Sequence, residues 1–331
     1  MPSRSAGTRR FISPSIRRAR WCSPGEPVTT SRLRRRMRLP ARALVVALPY
    51  LWLLLFFAVP FLIVLKISLS DVELAIPPYK PLLTWTAQHV LQIRLDLQNY
   101  GFLFTDHLYI DAFLNSIRVA LVSTVICLLI GYPMAYGIAR ARAKTRNVLL
   151  LLVVLPFWTS QLLRVYAWIG LFKANGVINA ILLHLGLIRA PLTMLFTPFA
   201  MYVGIVYSYL PFVILPLYAN LEKMDWQLVE AALDLGCRPW QAFLKVTLPL
   251  SRNGILAASM LVFIPAVGEY VIPTLLGGPN ALMIGRILWD EFFANRDWPV
   301  ASAVAIVMLL LLVPFMMWYQ RLQAREAGAG S

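Results

Sequence analysis

Six stretches of this chain are long and apolar enough to cross a bilayer, and they constrain its fold more than any other feature. A hydrocarbon core of about 30 Å needs roughly 20 apolar residues in a helix, because backbone polar groups left unpaired there have no water to bond. Ala43 to Leu65, Val119 to Ala139, Met194 to Leu221 and Trp298 to Gln320 carry no charged residue. Asn147 to Phe172 and Asn253 to Leu276 carry one ionisable residue each, Arg164 and Glu269. The balance of the 331 residues agrees: 59% are hydrophobic, only 14% are charged, and the mean hydropathy is +0.68. Such a composition excludes an ordinary soluble domain. The expectation is an all-α, polytopic membrane protein with six transmembrane helices. Prolines recur inside the runs, which neighbouring helices tolerate by re-satisfying the freed backbone groups. Kinked helices lining a path are one reading of them and ordinary packing is the other.

The formal charge of +16 is concentrated rather than spread. Residues 1–42 hold twelve arginines against one acid, Glu26, so the basic excess does not mark a nucleic-acid surface. With both termini inside, the inner face collects 22 Lys and Arg and the outer loops 6. Setting the tail aside leaves 10 against 6, so the positive-inside rule orients the chain either way. The tail lacks an apolar h-region and is no cleavable signal. It reads either as a disordered basic cytoplasmic arm touching anionic lipid or as a mis-assigned start, with translation beginning at Met37. The membrane domain then covers 43–331.

Cys22, Cys127 and Cys237 have no paired spacing, and His89, His107 and His184 are scattered singly. Neither disulfide nor metal site is expected. The chain has no GxxxxGK[ST] phosphate loop, no HExxH and no GxSxG, so no catalytic residue is assigned.

One segment, 222–252, is too polar for the runs on either side of it. Within it Leu228, Ala231, Ala232 and Leu235 recur at i, i+3, i+4 and i+7, which predicts a helix over Trp226 to Leu235 with Gln227, Glu230 and Asp234 opposite. Gly236 suits the left-handed residue that ends a helix, and Pro239 suits the first turn of a second, carrying Trp240, Phe243 and Leu244. Two such short helices cannot bury their apolar faces alone. A partner-docking loop and a surface loop packed under its own spans are both open on this evidence. A second polar segment, Gly277 to Asp297, reads as a turn and an amphipathic helix. It would either receive a partner from outside or lie on the membrane surface.

Glu230, Ala231, Ala232, Gly236, Leu248 and Pro249 stand at the spacings of the "EAA" loop of ABC importer permeases, and the segment resembles that loop, with Val246 in place of its usual isoleucine. The likeness runs from about Leu44 to Arg321. "IPPY", "LPFWTSQLLRVYAWIGLF" and "SMLVFIPAVGEYVIPTLLGG" resemble the permease subunits of bacterial polyamine importers, the putrescine type most closely, with Tyr270 standing where phenylalanine is expected. The resemblance implies the type I ABC importer permease fold. It also implies three partners: a cytoplasmic ATPase dimer that binds ATP-Mg and docks on the loop, a second, non-identical permease, and a periplasmic polyamine-binding protein. The cargo is less firmly implied than the class, so permeases for spermidine, iron, thiamine or sulfate remain alternatives. Outside the class stand an ion-driven secondary transporter, for which no inverted repeat is visible, and a membrane scaffold without transport.

A charge near the bilayer centre costs about 2.5–3.5 kcal/mol on insertion scales. Counted from the inner ends along unbroken helices, Arg164 and Glu269 lie roughly 26 and 24 Å deep. At one level they are expected either to form a buried salt bridge or to serve a substrate path. In the second case Glu269 meets a diamine cation among the aromatic faces of Trp158, Tyr166 and Tyr270.

Overall fold

A computed structural model of the chain describes residues 41–73, 75–85, 91–93, 95–279 and 281–329. Residues 1–40, and with them the basic-arm and Met37 readings of the tail, lie outside the described residues, as does His89. The chain divides into two units, Met1–Phe56 and Phe57–Ser331. In the first, α1 (Ala41–Leu53) leads into a π-helical turn that begins at Leu54, and its side chains from Val46 onward are exposed. The Trp52 and Phe56 rings lie 4.1 Å apart on its surface.

The second unit begins with α2 (Val59–Ser68), followed by an antiparallel ribbon of β1 (Leu83–Trp85) and β2 (Leu91–Ile93) that pairs Leu83 with Ile93. Next come α3 (Gln98–Thr105), α4 (His107–Arg140), α5 (Ala143–Val154), α6 (Gln161–Phe172), α7 (Val177–His184) and α8 (Pro198–Glu222). The polar interruption holds α9 (Gln227–Asp234), α10 (Pro239–Ala242) and α11 (Leu248–Leu250). The chain closes with α12 (Arg252–Val267), α13 (Ile284–Trp289) and α14 (Trp298–Ala329). Among the described residues five helices have the length and hydropathy of a span. The bent pair Pro239–Leu250 and Arg252–Val267 makes a sixth.

The core is α4, α8 and α12, and α4 shows why. Its buried positions include Ala112, Ser116, Ala120, Ser123, Cys127, Gly131 and Ala135, which recur every three or four residues and form one seam of small side chains. In lipid the apolar surface of a helix gains little by meeting another apolar surface. Close backbone approach along small residues is what holds helices together. Facing this seam, α8 buries Ile205, Val213, Ile214, Leu217 and Leu221, and α12 buries Ala258, Val262 and Ala266.

Two expected spans are not continuous helices. The one expected over 147–172 is broken: α5 ends at Val154, Leu155–Trp158 tightens to a 3-10 turn containing Pro156, and α6 starts afresh at Gln161. Proline cannot donate to the i−4 carbonyl and its ring crowds that carbonyl, so the helix yields there. The stretch of spanning length is instead Gln161–His184. The span expected over 253–276 ends at Val267, and a π-helical turn, Pro273–Gly277, follows the break. The depths assigned to Arg164 and Glu269 along unbroken helices therefore do not hold.

The segment 277–297 also departs from a helix lying on the membrane surface. Met283 and Ile284 are fully buried and Ile287 nearly so, packed with Val267, Ile272 and Leu276. Backbone groups of the segment are held by α4: Ser116 Oγ accepts from the Ile284 N–H at 2.8 Å, and Asn115 Nδ2 donates to the Leu282 carbonyl at 2.6 Å.

Candidate functional site

The first candidate site is the polar interruption. The α9 helix is closed by a complete Schellman motif: Gly236 N–H donates to the Leu233 carbonyl at 2.9 Å and Cys237 N–H to the Ala232 carbonyl at 3.1 Å. Gly236 sits at φ 86°, as the helix-ending reading requires. Pro239 opens α10, where its missing N–H is not needed, and Gln241 Oε1 accepts from the Arg238 N–H at 3.0 Å. Leu248 and Pro249 then lie three and two residues before a 67° bend at Ser251. A proline preceded by the π-helical turn Phe243–Thr247 accounts for that bend.

The apolar stripe of α9 does not pack under the spans. Leu228 is 48% exposed, Leu235 is 87% exposed, Ala231 is open and Ala232 half-buried. The residue that turns inward is Val229, and Glu230 is exposed on the helix's other side. On the second helical piece Trp240 and Leu244 are exposed while Ala242 is buried. The loop thus keeps an unfilled apolar face, and its inner contacts come from Trp226, which lies outside the stripe, and from Phe243 of the second helix. Trp226, which caps α9, meets the Tyr136 ring edge-to-face at 5.7 Å. Phe243 meets Tyr132 at 5.4 Å and Tyr136 at 5.7 Å, and Tyr132 shares a 2.7 Å hydrogen bond with Ser251 Oγ. The only sequence signal for this was the i, i+4 spacing of Tyr132 and Tyr136 at the end of an otherwise aliphatic run.

The second candidate site surrounds Glu269, in the break after α12. Its side chain is 7% exposed. Oε2 accepts from the Tyr209 hydroxyl at 2.6 Å, and Oε1 accepts from the N–H of Val271 at 3.1 Å and of Ile272 at 3.4 Å. Glu269 therefore caps the helical turn that follows it, where a negative charge is favoured by the free N–H groups and the helix dipole. No salt bridge to Arg164 forms, nor to any other described cation. The Arg164 guanidinium lies over the Phe157 ring at 5.9 Å, with Nε and Nη1 buried and without hydrogen-bond partners. From there Phe157, Phe212 and Tyr209 form a run of ring contacts at 5.1 and 6.1 Å, with Arg164 over its first ring and Glu269 bonded to its last. Tyr270 stacks on Trp289 at 4.5 Å, and Trp289 on Phe293 at 4.1 Å. Trp158 and Tyr166 point outward, 76% and 58% exposed. Tyr270 thus adjoins Glu269 only in sequence, with its ring turned to Trp289, and Arg164, Trp158 and Tyr166 make no ion pair or hydrogen bond with Glu269.

Gly285 fixes the geometry of this break. A β-carbon there would stand 2.4 Å from the Gly268 carbonyl oxygen and 2.9 Å from that of Glu269, both backbone atoms with little room to move. Gly285→Ala is therefore expected to destabilise the protein by about 1–3 kcal/mol, the range for an overfilled interior. The check is a thermal transition clearly below that of Gly101→Ala, where the added carbon meets nothing within 4 Å. Equal transitions would mean the contact between α13 and the break is loose.

Residues 128–327 match the family model for the binding-protein-dependent transport system inner membrane component. The chain belongs to this family. It is 39% identical to the spermidine/putrescine transport system permease protein PotB of Haemophilus influenzae over 276 residues, 83% of this chain and 92% of that protein. Against PotB of Escherichia coli it is 36% identical over 270 residues, 82% of this chain and 93% of the relative. Its fold matches that of a chain in the crystal structure of the bacterial alginate ABC transporter in complex with an alginate pentasaccharide-bound periplasmic protein. The TM-score is 0.60 at 19% identity, over 89% of this chain and 98% of that one. This permease therefore has the all-α type I ABC importer permease fold and is a multi-pass membrane subunit rather than an enzyme.

Proposed function

We propose that this permease is one of two non-identical translocation subunits of an ATP-driven importer that carries polyamines, putrescine foremost, across the inner membrane. The observation that carries the reading is the outward apolar stripe of α9, Leu228 and Leu235 above all, held on a rigidly capped helix beside the exposed acids Glu230 and Asp234. A membrane chain that keeps such a face outside its own core has a partner for it. A cytoplasmic ATPase dimer, which binds ATP-Mg, is that partner in this reading, and the positive-inside bias supports placing α9 and both termini in the cytoplasm. Glu230, Ala231, Ala232 and Gly236 form the docking helix, and Leu248 and Pro249 set the bend that joins it to α12. A periplasmic binding protein loads the opposite face.

The choice of cargo is supported by the spermidine/putrescine names of the relatives and by an intramembrane carboxylate without a cationic partner. Glu269 and Tyr270 meet the diamine as it passes, the carboxylate through charge and the ring through its face. The open rings of Trp158 and Tyr166 extend the path, and Arg164, which repels a dication, bounds it. ATP binding closes the ATPase pair, and the loop passes that motion to the helices, which alternate between outward and inward access.

The test is ATP hydrolysis by the reconstituted complex on adding binding protein loaded with putrescine, spermidine or thiamine. Stimulation by the polyamine-loaded forms, greatest with putrescine, is expected. Stimulation by the thiamine-loaded form alone would overturn the assignment of cargo.

A further inference from the structure

The loop's inner contacts converge on one stripe of α4. Tyr132, Tyr136 and Arg140 stand at i, i+4 and i+8 and so lie on one face over the helix's last turns. Tyr132 and Tyr136 hold Phe243 between them, with ring planes at 89° and 85° to it. Tyr136 also meets Trp226, and the Arg140 guanidinium lies 5.5 Å from the Trp226 ring and 5.7 Å from the Tyr136 ring while donating to the Tyr136 hydroxyl at 3.1 Å. Both halves of the loop, the residue capping α9 and the residue opening the turn after α10, are thus fastened to the same three side chains.

The far end of α4 is fastened as well. Tyr109 donates to Glu291 Oε1 at 2.9 Å, and Ser116 and Asn115 hold the backbone at Ile284 and Leu282. The neighbouring Gly285 abuts the carbonyls of Gly268 and Glu269. With 34 residues, α4 is about 50 Å long at the usual helical rise. One helix, which runs unbroken through Pro133, therefore connects the docking loop to the break that holds Glu269.

We infer that Tyr136 and Arg140 are positioning residues for transport: with Trp226 they form a cation–π clamp that locks the docking loop to α4, so that displacement of α9 moves α4 as a rod and reaches the Glu269 break through its far end. Trp226 and Phe243 serve as the loop's two grips, and Tyr136, which touches both, is the residue on which the clamp turns. Ring pairs and a guanidinium over an indole resist sliding because their attraction depends on geometry. This inference rests on the docking role proposed for α9.

The test is the number of polyamine molecules taken up per ATP hydrolysed, measured on the complete complex with its binding protein. A residue that merely stabilises the fold changes the amount of complex but not this ratio. Tyr136→Leu is expected to lower the ratio by about tenfold, equivalent to 1.4 kcal/mol of lost coupling, and Trp226→Leu to do the same. Tyr136→Phe and Trp226→Phe keep the rings and are expected to stay within about twofold of the parent, with Arg140→Gln falling between. Should Tyr136→Leu fail to assemble, Arg140→Gln against Arg140→Lys decides, since only the glutamine variant removes the cation. An unchanged ratio in Tyr136→Leu, or in Arg140→Gln where that variant decides, would overturn the clamp. If the unaltered chain binds no ATPase at all, the docking role itself fails, a distinct result.

Discussion

Gly236→Asp is expected to leave the permease in the membrane at near-normal yield and to remove most of the rise in ATP hydrolysis that loaded binding protein produces. The reasoning is local. Gly236 is exposed, and a β-carbon there meets nothing within 4 Å, so the spans beneath are not disturbed. Its φ of 86° belongs to the left-handed region, where a side chain costs about 1–2 kcal/mol. A carboxylate at the C-terminal end of α9 adds an unfavourable dipole interaction of roughly 0.3–1 kcal/mol. An eight-residue helix has little intrinsic stability to set against this, so its last turn frays and the stripe ending at Leu235 loses its shape. Stimulation is expected to fall to about a tenth of normal or less, the factor that 1.4 kcal/mol represents. Retained stimulation would show that α9 is not the docking element.

Glu269→Gln is expected to reduce uptake at least as severely while sparing assembly. A glutamine Oε1 still accepts from Val271 and Ile272, and its amide can donate to the Tyr209 oxygen, so the cap survives and only the charge is lost. At roughly 4 Å and an effective dielectric near 20, a unit-charge pair is worth about 4 kcal/mol, and a third of that is already a tenfold effect. Glu269→Ala is a different experiment. It strands the Tyr209 hydroxyl and two N–H groups in a buried site, a loss of about 1–3 kcal/mol per unsatisfied group, and lowers the yield of folded complex as well. Uptake unchanged in the glutamine variant would remove Glu269 from the mechanism.

The contrast between these two residues shows what was legible in the chain. Everything that made Gly236 readable is local: a 3.6-residue period up to Leu235, a glycine, then a proline at a fixed offset, and the structure reproduces that helix to within one residue at each end. The number of spans was legible for the same reason, since length and apolarity are properties of a single run. Glu269 was visible as an anomaly, but the salt bridge to Arg164 that rise per residue suggested does not form, because Pro156 and the break after Val267 interrupt both helices. Prolines in a span announce a kink or a break without saying which. The packing of the 277–297 segment depends on Tyr109, Asn115 and Ser116, more than 160 residues away in sequence, so its amphipathic pattern fitted a membrane surface as well as a core. The clamp was hidden differently: Tyr132, Tyr136, Trp226 and Phe243 are each unremarkable aromatic residues until the fold brings them together.

The most direct test of the whole account is accumulation of labelled putrescine in vesicles containing this permease with its partner subunits and binding protein, with ATP supplied on the side that bears α9. Uptake against a concentration gradient that requires both ATP and the binding protein is the expected result. Accumulation that persists without ATP and collapses with an ion gradient, or no accumulation of any polyamine under either condition, would contradict it.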